Sequence, residues 1–220
     1  ITANEVQQEA LYALKRTREE GADKALIYAA TGIGKTYLAA FDSLPYEKVL
    51  FVAHREEILH QAQRTFHNVR TRSKTGFFTG SRKDSSADIL FASVASLENH
   101  LGEFDKNRFE YIIVDEFHHA AARSYRAILN HFTPRFLLGL TATAERMDRQ
   151  SIYSLCDYNV PYRITLSDAI NRGILVPFHY YGIYDDTVDY SEVHSIGGRY
   201  VVQDLTNNLE KDTRVELIYK

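Results

Sequence analysis

A chain of 220 residues with 45% hydrophobic content has the material for one large domain, or one domain with an appendage. Its net charge of −3 gives no support to a compact basic DNA-binding module, and its single cysteine, Cys156, excludes an intrachain disulfide and reads as a buried structural thiol. No apolar run approaches the ~20 residues of a membrane helix, no signal-peptide pattern opens the chain, and an unfinished amphipathic pattern closes it at Lys220, so a cytoplasmic piece of a longer protein is expected.

In chain order, the first predicted element is a helix in NEVQQEALYALKRTREEG, with Val6, Ala10, Ala13 and Leu14 on one face and Gly21 as its stop. A buried strand follows at 24–30 (KALIYAA), then the turn AATGIGKT and the start of a helix. A second strand is predicted at 48–53, and a helix in EEILHQAQRTF carries Ile58, Leu59, Ala62 and Phe66 on one stripe. Residues 64–74 hold Arg64, Arg70, Arg72 and Lys74 and no acid; a solvated helix end and a phosphate-contacting patch are the two readings. Further strands are predicted at 88–93, 111–115 and 136–142. All five runs are nearly continuous in apolar residues, as strands covered on both faces are. Their alternation with helical patterns predicts an α/β, doubly wound, mostly parallel sheet over residues 1–165. Residues 166–220 read as a trailing extended strand, a hairpin turning at Gly197-Gly198, and a helix beginning near Asp212.

The AATGIGKT stretch follows a predicted strand and precedes a predicted helix, the setting a phosphate loop needs. Gly32 and Gly34 let the backbone turn and approach an anion, Lys35 suits the β- and γ-phosphates, and the Thr36 hydroxyl suits Mg²⁺. The pattern departs from G-x-x-x-x-G-K-[ST] at its first position, where Ala29 stands, so an ordinary strand–turn–helix corner stays open on the loop alone. The acidic pair in YIIVDEFHH favours the nucleotide reading. Asp115 and Glu116 end a buried strand, and at that edge of a parallel sheet an aspartate can hold Mg²⁺ while a glutamate activates water. A di-iron reading of Glu116-x-x-His119 lacks its second motif, and zinc at His118 and His119 lacks cysteine partners.

With ATGIGKT, VDEFHH and LTATAER in this order, the chain resembles the first RecA-like motor domain of superfamily 2 helicases and translocases. Within that group it is similar to motors related to type III restriction enzyme subunits and to repair translocases. The resemblance implies ATP and Mg²⁺ as cofactors. It implies an ATP site of Gln7 (Gln8 by a shift of register), Thr31, Gly32, Ile33, Gly34, Lys35 and Thr36, with Mg²⁺ on Thr36 and Asp115 and catalysis by Lys35, Asp115 and Glu116. His118, Thr141 and Thr143 would couple that site to nucleic acid. The loops of VAHREEIL (His54, Arg55), FTG (Gly80) and ASVASL (Ser93, Ser96) would hold the phosphates of one strand, DNA rather than RNA. Ser93, Thr141 and Thr143 have helix capping as an alternative use. Nothing after Thr143 matches the arginine-bearing motif of the second motor domain, so that domain is expected as a partner in the same parent chain, with nuclease or methyltransferase partners and no membrane. The competing functions are a nucleotide-dependent nucleic-acid clamp and a phosphate-loop NTPase outside the helicases. A GTPase would need N-K-x-D, which is absent.

Overall fold

A computed structural model describes residues 1–142 and 149–178, together with two short strands at 195–196 and 199–200. Seven strands form one all-parallel sheet: β1 (Lys24–Ala29), β2 (Val49–Ala53), β3 (Thr75–Phe78), β4 (Ile89–Ser93), β5 (Tyr111–Val114), β6 (Phe136–Thr141) and β7 (Tyr162–Ile164), in the order β3-β4-β2-β5-β6-β1-β7. The sheet confirms the doubly wound α/β expectation. Side chains alternate between two cores. Ala25, Ile27 and Ala29 of β1 face one, and Leu26 faces the other. Helices α1 (Glu5–Glu19), α2 (Lys35–Asp42), α3 (Glu56–Val69) and α7 (Leu166–Asn171) supply the first core. Helices α4 (Val94–Glu98), α5 (Arg123–His131) and α6 (Arg149–Leu155) lie with the second.

All five predicted strands are present. Three of them stop one residue short of the prediction, at Ala29, Val114 and Thr141, where the loops of interest begin. Two strands and several helices were not anticipated. β3 is only TGFF, and its Gly76 is required because a Cβ there would stand 2.6 Å from Asp84 Cβ. β7 lies at the sheet edge with only Ile164 buried, so it carries no apolar run.

The edge of the sheet where strands begin is tied by a buried ion pair. Arg18 at the end of α1 donates Nη1 to Asp42 Oδ2 (2.8 Å) and Nη2 to Asp42 Oδ1 (2.7 Å), and the Tyr111 hydroxyl donates to the same carboxylate. Burial pushes the Tyr111 phenol well above its ordinary pKa. At the opposite edge the 3₁₀ turn Phe117–His119 lies on β6. A Cβ on Gly139 would meet two Phe117 ring carbons at 2.7 Å, so glycine lets that ring settle on the strand.

The chain divides into two compact units, Ile1–Val176 and Pro177–Lys220. In the second, β8 (Ser195–Ile196) pairs antiparallel with β9 (Arg199–Tyr200) on either side of Gly197-Gly198. The helix predicted from Asp212 lies outside the described residues. Among the described residues no helix is long and apolar enough to cross a membrane.

Candidate functional site

β1 ends at Ala29 and α2 starts at Lys35, so residues 30–34 form the loop between them. Gly32 (φ 93°) and Gly34 (φ 87°, ψ 40°) both occupy the left-handed region, which disfavours any residue with a Cβ. No side chain caps α2, whose first N–H groups are left to the loop. Thr31, Gly32, Gly34, Lys35 and Thr36 line an open cleft of about 500 Å³, faced by Asp115 and Glu116. The Ile33 side chain turns the other way, into the core. Lys35 Nζ donates to the carbonyls of Ala29 (2.9 Å) and Ala30 (3.4 Å). Burial lowers the pKa of this ammonium, and the charges of Asp115 and Glu116 oppose that effect.

The acidic pair reaches the same cleft because β6 lies between β1 and β5 and all three strands point the same way. Asp115 is buried, and desolvation raises its carboxyl pKa. The Glu116 N–H, donated to Oδ1 at 2.9 Å, acts against that, the Glu116 charge adds to it, and Lys35 opposes it. Glu116 itself adopts φ 50°, ψ 47°, a left-handed conformation costing about 1–2 kcal/mol for a residue with a Cβ. His118 Nδ1 lies 3.2 Å from its Oε2. The same nitrogen is 3.4 Å from Thr141 Oγ1 at the tip of β6. Three candidate residues from two strand ends therefore share one cluster. Thr143 lies outside the described residues.

Gln7 holds the loop from the side of α1. Its Nε2 donates to the Gly34 carbonyl (3.3 Å), and its Oε1 accepts the Asn4 N–H in a capping box. Gln8 instead donates to the Ala3 carbonyl and is exposed, so Gln7 is the register that meets the loop. Mg²⁺ suits the donors present: the Thr36 hydroxyl and the Asp115 carboxylate are hard oxygens, and this ion takes few protein ligands beside phosphate oxygens and water. Ile58, Gln61 and Thr65 of α3 also line the cleft, and sequence reasoning missed them. Their i, i+3, i+7 spacing puts them on one helix face, which was the available signal.

The other candidate loops follow β2, β4 and β3, neighbours at one side of the sheet. His54, Arg55 and Gly80 are exposed. Ser93 is nearly buried and caps α4, its Oγ accepting the Ser96 N–H at 3.4 Å, so the capping use is real. The basic residues of 64–74 do not form one patch. Arg70 donates to the carbonyls of Ser43 and Tyr46, both at 2.7 Å, and thereby pins the end of α3 to the α2–β2 loop. Arg72 and Lys74 lie where β3 begins, at the edge away from the cleft.

An all-parallel sheet in this order, with a glycine loop at the tip of β1 and an acidic pair two strands away, is the architecture of a RecA-like phosphate-loop motor domain. Within that class, the chain belongs to the type III restriction enzyme res-subunit family, matched over residues 1–146. It is 32% identical over 180 residues to a Saccharomyces cerevisiae protein named as an ATP-dependent helicase, IRC3, covering 71% of this chain and 26% of that one. It is 27% identical over 187 residues to the Escherichia coli type I restriction enzyme EcoAI endonuclease subunit, covering 76% of this chain and 23% of the relative. A fragment of an HsdR subunit of a type I restriction enzyme from Vibrio vulnificus superposes with a TM-score of 0.60 at 28% identity, over 76% of this chain and 31% of that one. The chain thus spans about a quarter of the length of these two curated relatives.

Proposed function

We propose that this chain is the first motor domain of a DNA-dependent ATPase, a helicase or translocase of the restriction and repair type, working in the cytoplasm. The carrying observation is the cleft itself: Thr31, Gly32, Gly34, Lys35, Thr36, Asp115 and Glu116 face one volume from two strand tips separated by a third strand. The name of the yeast relative supports ATP as the nucleotide, and the restriction enzymes among the relatives favour DNA as the track. Lys35 would meet the β- and γ-phosphates, Thr36 and Asp115 would hold Mg²⁺, and Glu116 would orient and deprotonate the attacking water. Mg²⁺ would neutralise developing phosphate charge. Gln7 would read the base, and its Nε2 steadies Gly34. His118 links Glu116 to Thr141 at the tip of β6, and His118, Thr141 and Thr143 would couple hydrolysis to nucleic-acid grip. His54, Arg55, Gly80, Ser93 and Ser96 would contact backbone phosphates. The second unit, Pro177–Lys220, would lead toward a second motor domain, and nuclease or methyltransferase partners fit the restriction-enzyme family.

Lys35→Ala tests the assignment. Calorimetry on the folded full-length protein is expected to show no measurable ATP affinity. Unchanged binding would remove the phosphate loop from the site.

A further inference from the structure

Both glycines of the phosphate loop are covered by a side chain from elsewhere. Gly34 is covered by Gln7: a Cβ there would stand 2.6 Å from its Nε2. Gly32 is covered by Leu175, whose Cδ2 stands 3.0 Å and Cδ1 4.0 Å from the place a Cβ on Gly32 would take. Leu175 is half-buried and packs on the core beneath the loop.

Leu175 is not a loose tail. Ile174 and Leu175 both donate their N–H to the Ala169 carbonyl, at 2.9 and 3.1 Å, so the segment is the C-terminal cap of α7. A capping box between Thr165 and Asp168 fixes the other end of that helix. Arg172, in the turn after α7, forks onto Glu9 of α1, with Nη1 to Oε2 at 3.0 Å and Nη2 to Oε1 at 2.7 Å. The Tyr162 hydroxyl of β7 donates to the same Glu9 Oε2 at 2.7 Å. The hydrogen bonds from Arg172 and Tyr162 hold the Glu9 carboxyl below its ordinary pKa. Glu9 and Gln7 sit on one helix, so the element gripping Gly34 is tied to the element covering Gly32.

We infer that Leu175, held in place by the Glu9–Arg172–Tyr162 cluster, is a positioning residue that keeps the phosphate loop in its binding shape. This rests on the ATP-site reading above. A loop with two left-handed glycines has the most backbone freedom to lose on binding an anion, and a strap that limits this freedom raises affinity without touching the chemistry. The expected signature is therefore an effect on KM for ATP with kcat preserved. The chain then runs from Leu175 through Val176 into the second unit, so the strap is also the covalent lead out of the nucleotide site.

The test uses the full-length protein with ATP, Mg²⁺ and saturating DNA. Leu175→Ala is expected to raise KM roughly tenfold with kcat within about twofold, and Leu175→Met to stay near wild type. Arg172→Glu and Glu9→Arg should each raise KM, and the double charge reversal should restore it, because the fork is rebuilt with its ends exchanged. Wild-type KM in Leu175→Ala overturns the inference, and so does a folded double variant that stays as impaired as the singles. A wild-type protein that binds no ATP, and behaves like Lys35→Ala, would overturn the nucleotide reading itself and the strap with it. The two failures are thus told apart.

Discussion

Asp115 carries a charge that its surroundings oppose. Burial raises its pKa above that of an unfolded aspartate, so the folded state takes up a proton more readily than the unfolded chain. Its contribution to stability is therefore unfavourable above the folded pKa and relaxes as pH falls through it. Asp115→Asn keeps the oxygen that accepts the Glu116 N–H and removes the charge. It is expected to raise Tm at neutral pH in scanning calorimetry while weakening Mg²⁺-dependent ATP binding. A lower Tm would show that Lys35 already compensates the charge. Glu116→Gln is expected to leave ATP and Mg²⁺ binding intact and to slow hydrolysis by ~10²-fold or more in the full-length protein, the usual range for losing a general base. If the two variants bind alike, the division of roles fails. Cys156 gives a control that carries no role in this chemistry. It is fully buried, and burial pushes its thiol pKa up to about 12. Alkylation at pH 8 should therefore be very slow in the native protein and fast in denaturant.

At the scale of elements, the helices and strands that meet the site are held by contacts far from it. Asp42→Ala would leave Arg18 and the Tyr111 hydroxyl without their carboxylate at the junction of α1, α2 and β5. Arg18 keeps some access to water, so the loss should be near the lower end for a broken buried pair, about 3 kcal/mol by denaturant titration. Gly139→Ala acts differently. Its methyl would press on Phe117, next to Glu116 in sequence, at an overpacking cost of about 1–3 kcal/mol. Because Phe117 anchors the kinked acidic turn, kcat should fall further than in a core variant of equal Tm. The same elements show what a sequence can disclose. β1, β2, β4, β5 and β6 were legible because burial on both faces leaves an uninterrupted apolar run. β3 and β7, the two edge strands, are short and partly polar, and carry no such mark. Lys35 and Thr36 at the start of α2, and Asp115 and Glu116 just past β5, stood out because the phosphate and metal chemistry proposed for the cleft asks for those residue types there. The Glu9–Arg172 fork joins residues 163 apart through ordinary surface charges, and no local spacing announces it.

At the scale of the whole chain, the proposed reading makes the cleft a half-site. An arginine supplied from outside a phosphate cleft is worth about 10³–10⁵ in rate, and sequence reading found no arginine-bearing second motor within these 220 residues. The 220-residue chain alone should bind ATP weakly and turn it over very slowly, with little stimulation by DNA. Phosphate-release assays on this chain and on the full-length protein check this, and equal rates would contradict the two-domain mechanism. DNA affinity of the full-length motor should fall steeply with salt and vary little with sequence, because backbone contacts release counterions and read no bases. The insertion of β6 between β1 and β5 has a consequence for every variant of this cleft. Neighbouring strands sit ~4.8 Å apart, so the tips carrying the loop and the acidic pair are about 9–10 Å apart. Backbone hydrogen bonds fix that interval, and it serves as a gauge block: substitutions in the cleft change how far a side chain reaches, and only a disturbance of β6 changes the width to be spanned.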